Sequence, residues 1–277
     1  MADKSEIVCI TVLYNPNSDV VENVKKCNDL VGRIILVDNS NDNNEKMFNG
    51  LEGIEYIPLM GNEGIARAIN IGIEKSDEKY VLTMDQDSTI SEDLINAYLH
   101  FLNNSDKQNI AALTPKYDTD RRHAKKGEGT EKVLLSMQSG TLFKRSTFEE
   151  IGLFDEDLFL DVVDWEYFLR INKAGLQTLQ VNDAILIHRP AITKVANLGF
   201  FKLKYGTASP LRYYYQGRNL LYTGEKYNNH KMYVTLAVKW LKIVLLFDNK
   251  KEYLKLFKQG IRDAKSGKLG KYEIGNN

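Results

Sequence analysis

The sequence predicts an α/β fold, an open sheet with helices on both faces, followed by a helical C-terminal appendage. Three observations lead there. Ile7-Val8-Cys9-Ile10-Thr11-Val12-Leu13 and Ile34-Ile35-Leu36-Val37 are short apolar runs rich in β-branched residues, the pattern of strands buried on both faces. Between them Val20, Val21, Val24, Cys27 and Leu30 recur at helical spacing, so strand, helix and strand imply a right-handed parallel crossover. The segment 210–260 reads as mostly helical, with no repeat and no low-complexity linker.

Taken in order, the first strand ends at Tyr14-Asn15-Pro16, the first helix covers roughly 18–30, and the second strand ends at Asp38-Asn39-Ser40. The third strand, Ile54-Glu55-Tyr56-Ile57-Pro58, leads through Gly61-Asn62-Glu63-Gly64 into a helix over about 63–75 with Ile65, Ala68, Ile69 and Ile73 on its apolar face. Tyr80-Val81-Leu82-Thr83 begins the fourth. Four strand ends, near Tyr14, Asp38, Gly61 and Asp85, thus carry polar or glycine residues able to line one crevice, and open α/β sheets bind ligands outside the carboxyl ends of their strands. Further on come a helix near 91–103, a strand near 110–114, a charged loop over 117–131 expected to be mobile, strands at 133–137 and 141–144, and a short helix over 146–151. A helix over 164–174, closed by Gly175, and a strand pair over 176–188 complete the pattern.

The composition, 43% hydrophobic and 27% charged in 277 residues, excludes disordered, collagenous and disulfide-built classes and allows one sizeable α/β domain plus an appendage. Cys9 and Cys27 cannot form a zinc site alone and read as structural. The start, Met1-Ala2-Asp3-Lys4-Ser5-Glu6, shows no signal-peptide pattern, which leads to a cytoplasmic expectation. Basic and acidic residues balance at 37 each, but residues 201–277 hold 16 against 5, an excess of 16 − 5 = +11, so this part is expected to face something anionic.

The most informative motif is Met84-Asp85-Gln86-Asp87-Ser88, two carboxylates where a strand runs out. Mg²⁺ and Mn²⁺ are commonly held by one or two carboxylates together with substrate phosphate oxygens. Asp87 is the expected metal ligand. Asp85, on the same side of the strand, would reach a ribose or a metal-bound water.

Together with Thr11-Val12-Leu13-Tyr14-Asn15-Pro16, Leu36-Val37-Asp38-Asn39-Ser40, Gly61-Asn62-Glu63-Gly64-Ile65-Ala66, Gly152-Leu153-Phe154-Asp155-Glu156 and Asp161-Val162-Val163-Asp164-Trp165-Glu166, this motif resembles the inverting family-2 glycosyltransferases of GT-A fold, in particular their rhamnosyltransferase-like branch. The resemblance covers most of residues 5–220. It implies a Rossmann-like mixed sheet, with a catalytic domain over 1–205 (nucleotide-sugar half about 1–110, acceptor half about 111–205) and a basic helical region over 206–277.

The resemblance also distributes roles. Thr11, Tyr14 and Asp38 look like the pocket for base and ribose, although Asp38-Asn39-Ser40 also reads as a plain turn. Asn62 and Arg67 would edge that pocket, Arg67 either near the diphosphate or as an exposed helix charge. Asp164 is the expected catalytic base, since inversion needs a carboxylate to take the acceptor hydroxyl's proton, and a helix N-terminus would hold it ionised. The alternative is an N-cap aspartate with Asp161 or Glu166 acting instead. Trp165 would stack on a sugar or pack in the core, and Glu166 would meet the acceptor. Ser139 and Gly140 resemble the acceptor-side loop. His188 would add a metal or diphosphate ligand, or be structural.

Implied partners are Mn²⁺ or Mg²⁺, a nucleotide-sugar donor, first of all dTDP-L-rhamnose, and a glycan or lipid-diphosphate-linked acceptor of bacterial surface polysaccharide synthesis. A UDP-galactose or galactofuranose donor stays open, because thymine and uracil differ by one methyl, worth about 1 kcal/mol. Residues 231–247, with Trp240, Leu241, Ile243, Val244 and Phe247, fit a helix lying on the inner face of the plasma membrane, or one packed on the catalytic domain or a second subunit in a homodimer. Tyr213-Tyr214-Tyr215 with Arg212 and Arg218 fits either an acceptor site or a core cluster. A sugar-phosphate nucleotidyltransferase would need a Gly-rich, Arg-containing loop after the first strand, and Tyr14-Asn15-Pro16-Asn17 is not one. A processive synthase lacks its membrane spans, and a non-catalytic sugar- or anion-binding protein, or a nucleic-acid binder, leaves the acidic strand ends unexplained.

Overall fold

The computed structural model describes residues 1–105, 108–189, 192–197 and 202–273. They divide into two compact units, Met1–Phe154 with Tyr167–Pro190, and Asp155–Glu166 with Ala191–Asn277. The reading from sequence drew its line at 205, whereas by packing residues 155–166 group with the C-terminal helices.

The first unit is built on a mixed sheet. Its strands are β1 (Ile7–Leu13), β2 (Arg33–Asp38), β3 (Ile54–Pro58), β4 (Tyr80–Asp85), β5 (Ser88–Thr89), β6 (Ile110–Asp118), β7 (Thr130–Val133), β8 (Thr141–Lys144) and β9 (Gln177–His188). Their order is β3-β2-β1-β4-β8-β6-β9-β5, with β7 also on β9. β3, β2, β1 and β4 run parallel, as the crossover reading requires, while β8 is antiparallel to both its neighbours. All seven residues of β1 are buried. Ile7, Cys9 and Leu13 enter a core with Val20, Val24 and Cys27 of α1 (Ser18–Asn28) and Leu94, Ile95 and Tyr98 of α3 (Glu92–Asn104). On the opposite pleat, Ile10 lies against Gly72 of α2 (Ile65–Glu74), so helices cover both faces. Gly72 has no room for a Cβ, which is how α2 comes this close to β1.

Several local expectations shift. α2 starts at Ile65 rather than near 63, because Gly64 sits at φ 89°, a conformation that stops the helix. The strand expected at 133–137 is the earlier β7, and residues 134–137 leave the ladder, with Ser136 Oγ and the Met137 carbonyl taken up by Thr114 and Tyr117. The pair expected over 176–188 is one continuous strand, β9, whose irregular register against β6 absorbs Asn182 and Asp183. Asn182 in turn ties down the loop expected to be mobile: its carbonyl accepts from Gly127 N–H at 2.9 Å, its amide nitrogen donates to the Glu128 carbonyl at 3.1 Å, and its own N–H reaches the Gly129 carbonyl at 3.0 Å. An aromatic group formed by Phe143, Phe148 of α4 (Arg145–Ile151), Phe154 and Tyr167 closes the unit, with Phe154 stacked on Tyr167 at 4.3 Å.

The second unit comprises Asp155–Glu166, including the first turn of α5 (Val163–Lys173), the hairpin β10 (Ile192–Asn197) and β11 (Lys202–Thr207), and the helices α6 (Pro210–Tyr227), α7 (His230–Leu246) and α8 (Lys250–Lys265). Helix α6 crosses α8 closely because both present glycine: Gly217 faces Phe257, and Gly260 faces the Tyr214 carbonyl. Tyr213, Tyr214 and Tyr215 are each 1% exposed, so the tyrosine run is core. Ile243 and Phe247 of the α7 segment are buried as well, contrary to the membrane-facing role expected of them. The face α7 does expose carries Val234, Val238, Trp240, Leu241 and Leu245.

Candidate active site

The register of β5 on β9 sets Ser88 opposite His188, residues 100 apart in sequence. Asp85 at the end of β4, Asp87 just beyond it and His188 at the end of β9 thereby converge, with potential ligand atoms all within 4.8 Å of one another. His188 Nδ1 lies 3.5 Å from Asp87 Oδ1 and 2.7 Å from Ser88 Oγ. Burial is the largest influence on His188 and pushes its pKa down; Asp87 pulls it up, Arg121 opposes that, and the net result is below the ordinary histidine value. The ring is therefore neutral near pH 7, the form that ligates metals.

A second layer holds these groups. Ser139 Oγ accepts the Asp85 N–H at 3.0 Å and bonds Ser88 Oγ at 2.7 Å, and Gln138 Nε2 donates to Asp85 Oδ1 at 2.5 Å. Gln138 itself is tied through its carbonyl to Thr83 Oγ1 at 2.6 Å, while Tyr117 donates to the Met137 and Ser139 carbonyls. Gln138 Oε1 is buried without a hydrogen-bond partner among the described residues. A buried acceptor left open beside two carboxylates and a neutral imidazole suits a hydrated hard cation, whose water would donate to it. The residues present thus fit Mn²⁺ or Mg²⁺, with Asp85, Asp87 and His188 as its holders.

Ser139 and Gly140, expected on the acceptor side, stand inside this wall instead. Ser139 is fully buried, and Gly140, at φ 75°, packs under Leu186 with its N–H on the Thr83 carbonyl and its carbonyl accepting from Tyr98. Of the two, Ser139 bonds the Asp85 backbone, while Gly140 ties the same turn to Thr83 of β4.

At the neighbouring strand ends, Tyr14 is 48% exposed while its backbone is clamped by Gln86: the Tyr14 N–H donates to Gln86 Oε1 at 2.9 Å and Gln86 Nε2 donates to the Tyr14 carbonyl at 3.1 Å. Gln86 was not singled out from sequence. The signal was available, since the residue between two carboxylates on an extended strand end points to the opposite side, here toward β1. Thr11 is 6% exposed, with its hydroxyl 3.7 Å from Cys9 Sγ, and with Asn23, Met84 and Asp85 it lines a small recess beneath the motif. Asp38 has both oxygens engaged: Oδ1 accepts from Ser40 N–H and Oγ, Oδ2 from Tyr56 OH and Asn44 Nδ2. The turn reading therefore describes Asp38 as folded. In the turn before α2, Asn62 Oδ1 accepts from Gly64 N–H at 3.0 Å and from Asn39 Nδ2 at 3.2 Å; Arg67 is half-buried in the first turn of α2.

In the second unit, Asp164 is half-buried in the first turn of α5, its Oδ1 accepting from the Trp165 N–H at 2.8 Å; Trp165 is half-buried too. The two alternatives for the base are both committed elsewhere. Asp161 is gripped by Arg212 at 2.7 and 3.1 Å, and Glu166, fully buried, accepts from Tyr227 OH at 2.6 Å and pairs with Lys226 at 3.0 Å.

The chain is 29% identical, over 238 residues and 78% of each sequence, to the dTDP-rhamnosyl transferase RfbF of Shigella flexneri. Its fold resembles that of GalNAc-T7, solved with UDP, GalNAc and Mn²⁺ (TM-score 0.60, 14% identity, 94% of this chain and 56% of that one). It also resembles the mannosyltransferase PcManGT of Pyrobaculum calidifontis, solved with GDP-Man and Mn²⁺ (TM-score 0.57, 13% identity, 96% and 78%). The chain thus spans little more than half the length of the first of these structures. Residues 8–162, more than half of the sequence and including the ends of β1 to β4, match the family described as Glycosyl transferase family 2; the chain belongs to that family and is a glycosyltransferase.

Proposed function

We propose that the protein is a metal-dependent, inverting rhamnosyltransferase that moves L-rhamnose from dTDP-L-rhamnose to a glycan or lipid-diphosphate-linked acceptor of a bacterial surface polysaccharide. The observation that carries the reading is the Asp85-Asp87-His188 cluster at the end of β4 and β9. A divalent cation held there would neutralise the charge that builds on the departing diphosphate. Tyr14, Thr11, Asn62 and Arg67 border the nucleotide, with Gln86 fixing the Tyr14 backbone. Asp164 takes the proton of the acceptor hydroxyl as that oxygen bonds to the anomeric carbon, and the carbon–oxygen bond to the diphosphate breaks with its electron pair leaving on dTDP. A negative charge in the first turn of a helix is favoured by the helix dipole, which supports Asp164 in this role. The choice of dTDP-rhamnose rests on the similarity to RfbF.

The test is calorimetric titration of dTDP, UDP and GDP with and without Mn²⁺, on the wild type and on Asp87→Ala. Binding of dTDP that requires Mn²⁺ and is lost in the variant is the expected result; preference for UDP moves the donor to a galactose type, and no binding to any nucleotide refutes the reading.

The same reading sets the enzyme against the anionic inner face of the plasma membrane through α7. Its exposed stripe of Val234, Val238, Leu241 and Leu245, with Trp240 beside it, lies on a helix that holds three lysines and no acidic residue. Among the described residues no helix is long and apolar enough to cross a membrane. Co-sedimentation with phosphatidylglycerol vesicles, absent with phosphatidylcholine and abolished by Val238→Asp with Leu245→Asp, is expected; a dimer that the same substitutions dissociate, without vesicle binding, would assign the stripe to a second copy.

A further inference from the structure

The segment 157–162, immediately before α5, is under backbone strain. Phe159, Asp161 and Val162 have φ of 61°, 60° and 67°, and none is glycine. A β-branched residue at such a φ is a true outlier. Phe159, with ψ −59° and the Leu160 N–H bonded back to the Leu158 carbonyl at 2.6 Å, forms a γ-turn of the rare positive-φ kind. Strain of this sort persists only where surroundings over-determine it, and it concentrates at functional sites.

Two fully buried side chains of α6 impose it. Asn219 Nδ2 donates to the carbonyls of Leu158 at 2.8 Å, Leu160 at 2.8 Å and Asp161 at 2.9 Å. Arg218 Nη2 reaches the carbonyls of Leu158 at 2.9 Å and Asp157 at 3.2 Å, and its Nη1 the Gly270 carbonyl at 2.6 Å. Arg218 Nε also donates to Asn219 Oδ1 at 2.9 Å, which fixes the amide so that its N–H groups face the turn. The guanidinium lies against the Tyr214 and Tyr215 rings at 5.5 and 5.0 Å, and among the described residues it bonds only neutral oxygens. Stability alone does not call for such an arrangement, since a buried charge is expensive to desolvate and an apolar side chain fills a core more cheaply. Val162 accepts the first helical hydrogen bond, from Glu166 N–H at 2.9 Å, so the strained turn sets where α5 begins and hence the backbone from which Asp164 projects.

We propose that Arg218 and Asn219 are positioning residues: they lock the 157–162 turn in its strained form and thereby hold Asp164 where it accepts the acceptor proton. The inference rests on Asp164 being the base. Misplacing a reacting group by about 1 Å costs on the order of 100-fold in rate.

The experiment compares kcat and donor KM for sugar transfer in Asn219→Ala, Val162→Gly and Asp164→Asn with the wild type, together with melting curves. Asn219→Ala is expected to lower kcat about 100-fold with donor KM unchanged, because the donor residues lie in the first unit. Val162→Gly removes the strain, since glycine accepts a positive φ freely, so it melts no lower than the wild type yet loses kcat by about tenfold through the loosened turn. A turn that is merely structural predicts full kcat in Val162→Gly, and that result overturns the proposal even if Asn219→Ala fails to fold. Loss of kcat in Asp164→Asn beside normal kcat in the other two overturns the positioning role and leaves the base intact. Full kcat in Asp164→Asn overturns both.

Discussion

Replacing Ser139 with alanine distinguishes a hydroxyl that braces the metal ligands from one that meets the acceptor. The side chain is wholly buried, accepts the Asp85 N–H at 3.0 Å and bonds Ser88 at 2.7 Å, and Ser88 passes the link on to His188 at 2.7 Å. Two such bonds are worth about 1 kcal/mol each, and leaving a buried N–H and a hydroxyl short of a partner raises the loss to about 2–3 kcal/mol. Much of this falls on the site. Removing a group that supports a metal ligand costs about 10–100-fold in metal affinity, equivalent to about 1.4–2.7 kcal/mol, which fits inside the total. Mn²⁺ titration calorimetry on Ser139→Ala and wild type, alongside urea unfolding without metal and a steady-state acceptor KM, reads all three quantities. The expected outcome is Mn²⁺ affinity weakened by at least about tenfold with acceptor KM unchanged. A raised acceptor KM with Mn²⁺ affinity intact would refute the bracing argument and return Ser139 to the acceptor side.

Gln86→Ala removes both hydrogen bonds to the Tyr14 backbone, at about 1 kcal/mol each, and should weaken dTDP binding in the presence of Mn²⁺ by about tenfold; an unchanged affinity in calorimetry means the clamp does not serve the nucleotide. Burial alone raises the Asp38 carboxyl, but the hydrogen bonds from Ser40, Tyr56 and Asn44 outweigh it and hold the group below its ordinary pKa of 3.8. A depressed folded pKa stabilises the fold above the unfolded pKa and loses that contribution as pH falls through the folded one, so the Asp38 share is complete near neutrality and fades below about pH 4. Urea midpoints of Asp38→Asn should accordingly fall less between about pH 7 and about pH 3 than those of the wild type. Gly260→Ala drives a Cβ into the Tyr214 carbonyl where α8 crosses α6, and thermal unfolding should report a loss of about 1–3 kcal/mol.

Much of the fold and part of the site were legible before the structure. The strands β1 to β4 and their polar ends came directly from apolar periodicity, and Asp85 and Asp87 from a carboxylate pair at a strand end. Ser139 and Gly140 were read as an acceptor-side loop by resemblance; their burial depends on partners far away in sequence, Ser88 for the Ser139 hydroxyl and Tyr98 and Leu186 for Gly140, and no local pattern carries it. Likewise 231–247 was read as a helix either on a membrane surface or packed on the protein, and only the core made with α6 and α8 decides that Ile243 and Phe247 are inside. Asn182 stapling the 117–131 loop left no local trace.

The sequence by itself determined β1 to β4 with the helices between them, the order of the crossover, the acidic strand end and the basic C-terminal part, because each is written in residues a few positions apart. Only the tertiary structure decided that His188 joins Asp85 and Asp87, that Gln86 grips Tyr14, and that Arg218 and Asn219 bond the turn in which Phe159, Asp161 and Val162 have positive φ. Those outcomes depend on register, burial and hydrogen-bond partners drawn from distant parts of the chain, and no window of local sequence contains them.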